Sequence, residues 1–395
     1  MAKALVVGGG IGGLATAVGL YRLGWDVKVY EKSQHLGEVG AGLSLFPNAL
    51  TALEYLGVLS AMPVAHRTIS GGIRTDTGRW LARQDISDDG LNGKEFRAVH
   101  RAELHNALRG ALPEDVIVTG ARVLHLSPIG GATIEIGGNT TRVDRVEETA
   151  DVIIAADGIH STARRILWPM VSPPEYTGIT AWRGISATRP GHDYPLTQSW
   201  GRGSEFGIVP LADGRTYWYA ATHSVPGITY PNHRTEVLTR FGSWHQPIPD
   251  IVTASAPDDI VHHDLFHVRQ QPQSFVSGRV VLLGDAAHAI PPFLGQGACQ
   301  ALEDAATLAA LLGPADTSAG ASVESALRTY DTLRVPRARQ IARATALAAQ
   351  IGIRARGPIT NRARNAAVWL TPPILAQRAM SRIAQWEVPR DVPTR

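Results

Sequence analysis

The sequence predicts an α/β fold: a parallel-sheet domain interrupted by a sheet-rich insertion and followed by C-terminal helices. Three observations predict it. Residues 3–32 read as strand, glycine turn, helix and second strand. Two later apolar runs, in DVIIAADGIHS (151–161) and GRVVLLGDAAH (278–288), also break at loops. Between about residues 178 and 267 the aromatic content rises, and FGIVPLADGRTYWYAAT reads as two strands joined at Asp213 and Gly214. If the three strand-to-loop signals share one sheet, the aromatic segment is an insertion into it.

Composition sets the outer bounds. With 395 residues, 44% hydrophobic and 18% charged, the chain is an ordinary globular protein of two domains or one large domain with insertions. The single cysteine, Cys299, forms no intramolecular disulfide, and nothing at the N-terminus reads as a signal peptide, so a cytoplasmic setting is expected. No run is long enough to span a bilayer. The net charge of +3 does not argue for nucleic acid. From Arg328 to Arg395, however, stand thirteen arginines and three acids, which are expected to form a solvated helical face rather than to touch a phosphate-rich partner or membrane.

Taken in order, Leu5, Val6 and Val7 suit a buried parallel strand. Leu14, Ala17, Val18 and Tyr21 then fall on one helical stripe that Gly24 ends. Val27, Val29 and Tyr30 form the second strand, with Glu31 at its carboxyl end. Residues 100–112 resume a helical period, and the remainder after the third strand-loop signal is helical, interrupted by Pro336, Pro358, Pro372 and Pro373.

Gly8, Gly10 and Gly13 make GxGxxG between a strand and a helix. The first glycine permits the tight turn, the second lets backbone approach a pyrophosphate, and the third allows close packing of the helix. The helix N-terminus, at Ile11 and Gly12, then presents unpaired N–H groups to phosphate. Glu31, eighteen residues past Gly13, can accept hydrogen bonds from ribose hydroxyls and repels a 2′-phosphate. The bound dinucleotide is therefore expected to be FAD or NAD rather than NADP.

ADGIHSTAR, with Asp157, Gly158, Ser161 and Arg164, and GDAAHAIPPFLGQGACQALEDA, with Asp285, Gly295, Gln296 and Gly297, resemble the DG and GD motifs of the FAD-dependent class A aromatic hydroxylases, the p-hydroxybenzoate hydroxylase fold. With the glycine motif they complete that family's set, and the resemblance covers the chain to about residue 345. It implies a Rossmann-like FAD-binding domain of the GR2 type, built from residues 1–75, 99–175 and 269–345. A β-sheet substrate domain would take 76–98 and 176–268, with helices in 346–395. The resemblance implies tightly but non-covalently bound FAD. Asp285 would bind the ribitol, the backbone of Gly295, Gln296, Gly297, Ala298 and Cys299 the flavin pyrimidine edge, and Glu31 and Lys32 the adenosine ribose. Arg101 would reach the phosphates or ribityl chain, Val123 would offer backbone to adenine, Ser44 would sit beside the flavin chain, and Asp157 would serve both FAD and the reductant.

His288 in this context supports its loop rather than acting as a base, and Cys299 packs rather than reacts. The histidines show no metal-ligand spacing. Gly37 stands where many relatives carry a basic residue. No second GxGxxG follows, which fits NAD(P)H docking transiently as the reductant.

The resemblance further implies an NAD(P)H- and O2-dependent monooxygenase, acting through a flavin C4a-hydroperoxide on an aromatic or terpenoid-like substrate, as monomer or homodimer. Arg183 either anchors a phenolate or carboxylate or pairs with an acid behind the sheet. Tyr217 and Tyr219 share one strand face and Phe206, Ile208 and Pro210 another. Pro292 and Phe293, just before the glycines, supply an apolar rim. Epoxidation or indole oxidation on the same fold, and a flavin-dependent reductase of isoprenoids, stay open as alternatives.

Overall fold

The computed structural model describes residues 1–36, 42–62, 69–86, 96–137, 143–187, 196–211, 213–313 and 320–389; Gly37 lies outside them. Strands and helices are numbered along the chain. The central sheet contains β1 (Lys3–Val7), β2 (Asp26–Glu31), β7 (Ile117–Thr119), β11 (Val152–Ala155), β17 (Val276–Ser277) and β18 (Val280–Leu282), in the order β17-β18-β11-β1-β2-β7. Its pairings are parallel apart from the short β17 edge. The middle strands read as unbroken apolar runs because both of their faces are covered: β11 and β18 are buried throughout. Packed around this sheet are α1 (Ile11–Arg22), α2 (Pro47–Tyr55), α3 (Arg101–Gly110), α4 (Thr162–Leu167), α7 (Asp285–His288), α8 (Gly297–Leu312) and α9 (Gly320–Gly352). A meander of β8 (Ala121–Leu126), β9 (Gly131–Gly137) and β10 (Val143–Thr149) flanks it, and β3 (Gly42–Leu45) pairs with β6 (Arg97–His100).

The inserted sheet has seven strands. They are β4 (Ile69–Thr75), β5 (Trp80–Ile86), β12 (Glu175–Ser186), β13 (Leu196–Trp200), β14 (Ser204–Pro210), β15 (Thr216–His223) and β16 (Val261–His267), ordered β16-β12-β15-β14-β13-β4-β5. Alternation along the strands sorts its two faces. Trp182, Phe206, Ile208, Trp218 and Ala220 form an outer core beneath α5 (His233–Phe241) and α6 (Ile248–Thr253). The inner face carries Arg183, Tyr217, Tyr219 and Val209. Phe206 and Ile208 are therefore core of the outer layer, not candidates for a substrate face.

Two sequence expectations shift. Residues 69–75, expected in the first cofactor-domain segment, form β4 and pair with β13 and β5 of the inserted sheet. Pro336, expected to interrupt a helix, lies inside α9. Arg334 and Arg337, on either side of it, are anchored by ion pairs to α8, which offsets the backbone hydrogen bond that proline removes. The helices α10 (Pro358–Leu370) and α11 (Pro373–Ala384) close the described chain.

Candidate active site

The glycine turn after β1 is held by contact with two other segments. Gly8 has φ +107°, and a Cβ there would sit 2.4 Å from the carbonyl oxygen of Ala156, at the end of β11. A Cβ on Gly13 would sit 2.0 Å from the Gly8 carbonyl oxygen, and one on Gly12 2.6 Å from the Leu283 side chain. On Gly10 a Cβ would meet nothing within 4 Å. Gly10 caps α1 without a side-chain hydrogen bond, so the N–H groups beginning at Ile11 face an open edge with the helix dipole behind them. The Glu31 carboxylate accepts from the Gly9 N–H at 2.7 Å and the Ser33 N–H at 2.8 Å, which fixes it beside the turn. Lys32 is exposed next to it. From α3, the buried His105 places Nε2 2.8 Å from the Gly9 carbonyl. Arg101 stands one turn earlier on the same helix, whose start is fixed by a capping box of His100 and Glu103.

The second and third loops meet through Arg164. Its guanidinium donates to the carbonyls of Ala286 (2.7 Å), Asp285 (3.4 Å) and Ile159. Asp157 Oδ2 accepts from the Thr162 and Ala163 N–H groups at the start of α4, while Oδ1 is buried without a partner. Asp285 is open to solvent yet ringed by protein groups, as a carboxylate on the floor of a cleft is. Those surroundings push its pKa up, while His288, Arg101 and Arg164 pull it down.

The third loop runs on into α8. Gly295 takes φ +63°, and a Cβ there would press on Phe46 and Ser44 of the β3 segment. Gln296 accepts from Asn48 Nδ2 at 3.0 Å and keeps its own Nε2 buried and unpartnered. A Cβ on Gly297 would meet nothing within 4 Å, so this loop has an open edge as well, with Ala298 the next residue of α8. Cys299 is buried with Sγ 3.5 Å from the Ser44 carbonyl, and burial pushes its thiol up to about 12, so it is an inert packing group.

Behind this loop lies a buried ion network. His288 Nε2 is 2.6 Å from Asp304 Oδ2, which also accepts from the Gly284 N–H at 2.9 Å. Arg334 bonds Asp304 at 2.6 Å and Glu303 at 2.5 Å; Arg337 and Asn48 also bond Glu303. Burial alone would raise Asp304, but His288 and Arg334 hold it well below the usual carboxylate range. Glu303, Asp304 and Arg334 escape sequence reasoning because their sites sit in an alanine-rich amphipathic pattern. His105 had a signal, its spacing of four residues from Arg101.

The inner face of the inserted sheet adjoins the cleft. Arg101 is pulled by Asp285 on one side and by Arg183 and Tyr217 on the other, although burial is the largest influence on it. Arg183 lies opposite Tyr219 between β12 and β15, and Tyr219 opposite Gly207 on β14. A Cβ on Gly207 would fall 2.0 Å from the Tyr219 ring. The ring thus lies over β14 and its hydroxyl accepts from Gln198 Nε2 on β13 at 2.8 Å. Its other neighbour is Glu205, 3% exposed, whose carboxyl burial pushes up to about 7 against the opposing pull of Tyr219 and Arg364. Tyr217 packs its ring on Gly42. Pro292 and Phe293 form one turn before Gly295, and Phe293 packs on Ile179, Ala181, Ala221, Leu265 and Ile353. Val123 is buried in the main core, with β8 paired to β9, outside this chain of contacts.

An extended dinucleotide fits what these residues leave open: two glycine edges at helix N-termini, the unpartnered Asp157 Oδ1 and Gln296 Nε2, and the Asp285 carboxylate between them. Residues 1–345 match the family described as FAD binding domain, and the chain belongs to it. It is a flavin-dependent monooxygenase. It is 38% identical over 354 residues, 88% of this chain and 89% of the relative, to aurachin C monooxygenase/isomerase of Stigmatella aurantiaca. To 3-amino-4-hydroxybenzoate 2-monooxygenase of Streptomyces cremeus it is 35% identical over 350 residues, covering 86% and 84% of the two chains. The crystal structure of Klebsiella pneumoniae HpxO with FAD and uric acid matches with TM-score 0.86 and 25% identity, over 97% of this chain and 96% of that one.

Proposed function

We propose that this chain uses NAD(P)H and O2 to insert one oxygen atom into an aromatic, largely apolar small molecule held between the inserted sheet and the Pro292–Cys299 loop. The observation that carries this reading is Phe293, which stands just before the Gly295–Cys299 loop and packs on Ile179, Ala181, Ala221 and Leu265 of the inserted sheet. It joins a cofactor cleft to a substrate face. FAD, when bound, supplies the two-electron chemistry and the activation of O2. The chain's own residues bind, orient and exclude water.

In this proposal Gly8, Gly10, Ile11, Gly12 and Gly13 receive the pyrophosphate on backbone N–H groups, with Arg101 adding charge. Glu31 and Lys32 take the adenosine ribose, Val123 the adenine and Asp157 and Asp285 the polyol chain, with Ser44 alongside. The backbone from Gly295 through Gln296, Gly297, Ala298 and Cys299 faces the flavin pyrimidine. Arg183 and Tyr217 orient the substrate through an ionised oxygen, stabilising a phenolate whose ring carbons are the more electron-rich for it. Tyr219, shared between Gln198 and Glu205, can hold or pass that oxygen's proton. Phe293, backed by Ile179, Ala181, Ala221 and Leu265, keeps water from the reacting atoms, with Pro292 at the rim. Relatives named for 3-amino-4-hydroxybenzoate and urate support a small aromatic ring as substrate. NAD(P)H docks transiently at the cleft, and the protein works in the cytoplasm as a monomer or homodimer.

The test is a screen of aromatic compounds for stimulation of NAD(P)H oxidation, with mass detection of products. A product heavier by one oxygen atom, formed in step with O2 consumption, is expected. Turnover that proceeds equally without O2 and adds no oxygen would instead mark a reductase.

A further inference from the structure

From Thr332 to Trp386 the chain carries ten arginines and neither aspartate nor glutamate. The fold itself uses part of that charge. Arg334 and Arg337 neutralise the acids of α8, and Arg364 donates to the carbonyls of Gly201 and Gly352. Arg343, Arg354, Arg356, Arg362, Arg378 and Arg382 are exposed.

The same stretch ends in the helices α10 and α11, and the junction between them is apolar. Trp369 is 59% exposed, Leu370 69%, Ile374 50% and Leu375 52%, all within seven residues. At the other end of α11, Ile383 and Ala384 are buried, so the helix docks on the protein by its C-terminal turn and presents its N-terminal turn outward. A groove of about 430 Å³ between the end of α9 and α10 reaches Val368 and Thr371 beside this junction. A purely solvated face does not gather a tryptophan, two leucines and an isoleucine at exposed positions within seven residues. Among the described residues no helix is long and apolar enough to cross a membrane, so any contact of α10 and α11 with lipid is at the surface.

We infer that the α10–α11 junction docks on an anionic lipid surface, with Trp369, Leu370, Ile374 and Leu375 in the headgroup boundary and the exposed arginines of the two helices, Arg362, Arg378 and Arg382, on lipid phosphates. Charge decides between this occupant and a second copy of the chain. A two-fold interface brings a patch against itself, which here would set the exposed arginines of α10 and α11 against their own copies, and neither helix carries an acid to pair with them. An anionic surface complements both the charge and the apolar junction. This replaces the solvated face expected from the sequence.

The test uses the full-length, FAD-loaded protein and sedimentation with vesicles of phosphatidylcholine alone or mixed with phosphatidylglycerol. Binding to the mixed vesicles, weakening as salt rises and slight on phosphatidylcholine alone, is expected. Arg378→Glu with Arg382→Glu should lower partitioning by roughly 30-fold or more, from about 1 kcal/mol per arginine. Trp369→Ser with Leu370→Ser should lower it as well, with FAD content and NAD(P)H oxidation unchanged in both variants. The inference is overturned if anionic vesicles are not bound, if both vesicle types bind alike, or if neither variant has an effect. It is equally overturned if light scattering shows a dimer that the Trp369→Ser, Leu370→Ser variant converts to monomer, because a second copy then occupies the junction.

Discussion

Gly207→Ala is the substitution that tests the substrate face most sharply. An added Cβ would lie 2.0, 2.3 and 2.7 Å from three atoms of the Tyr219 ring, where ordinary contact begins near 3.4 Å. The ring must therefore retreat by more than 1 Å. That carries its hydroxyl away from Gln198 Nε2, now at 2.8 Å, and toward the limit of hydrogen bonding. Overpacking of this kind costs about 1–3 kcal/mol of stability, and the lost buried hydrogen bond adds about 1 kcal/mol. If Tyr219 holds or passes the proton of the substrate oxygen, kcat/KM should fall roughly 10-fold as well, since about 1.4 kcal/mol of transition-state stabilisation is a factor of ten. FAD occupancy should not change, because Gly207 is on the inserted sheet and not in any of the three cofactor loops. Urea unfolding of the FAD-loaded protein and steady-state NAD(P)H oxidation with a coupled substrate measure the two effects. Gly137→Ala, whose Cβ would meet nothing within 4 Å, is the matched control. A Gly207→Ala protein with stability and kcat/KM both equal to the control would refute the packing argument and the role of Tyr219 together.

Three further outcomes are expected. Asp285→Ala should purify with much less FAD than the wild type, read from the flavin absorbance per protein, and full yellow occupancy would remove Asp285 from the cofactor site. Arg334→Met should destabilise the protein by about 3–5 kcal/mol in urea unfolding, because it strands Glu303 and Asp304 in the interior; a loss below about 1 kcal/mol would mean the network is not sustained by that ion pair. Glu205 carries a folded pKa of about 7 against an ordinary 4.5, so the unfolded chain releases its proton first as pH rises. Its contribution is then neutral below pH 4.5 and turns destabilising between pH 4.5 and 7, reaching about 3 kcal/mol above pH 7. Glu205→Gln should thus be more stable than wild type at pH 8 and equal to it at pH 4, and a gap independent of pH would contradict that.

What was legible in the sequence was the part governed by local backbone demands. Glycines that must sit at positive φ or against another chain segment leave a spacing, and Gly8, Gly13 and Gly295 do meet those demands. Buried parallel strands leave apolar runs, as in β11 and β18. The alternation that put Tyr217 with Tyr219, and Phe206 with Ile208, was also readable, but which face met helices and which met the cleft depended on α5 and α6 docking on one side. The rest depends on contacts between residues far apart in sequence. Glu205 reads as a surface acid in a strand until Tyr219 and the end of α9 at Gly352 close over it, and Gly207 reads as a weak strand position until the tyrosine ring rests on it. The ion network of Asp304 and Arg334 joins residues thirty apart on different helices. Pro336 is the opposite case, a strong local signal overridden by tertiary anchoring on both sides.

The central claim is that three separate loops form one cleft, with its far end against the inner face of the seven-stranded sheet. The crystal structure of the FAD-loaded protein tests it most directly. The pyrophosphate is expected at Gly10 and Ile11, the polyol chain at Asp285, and the flavin ring between the Gly295–Cys299 backbone and the side chains of Arg183 and Tyr217. A flavin bound elsewhere, or seated with its ring turned away from that sheet, would contradict it.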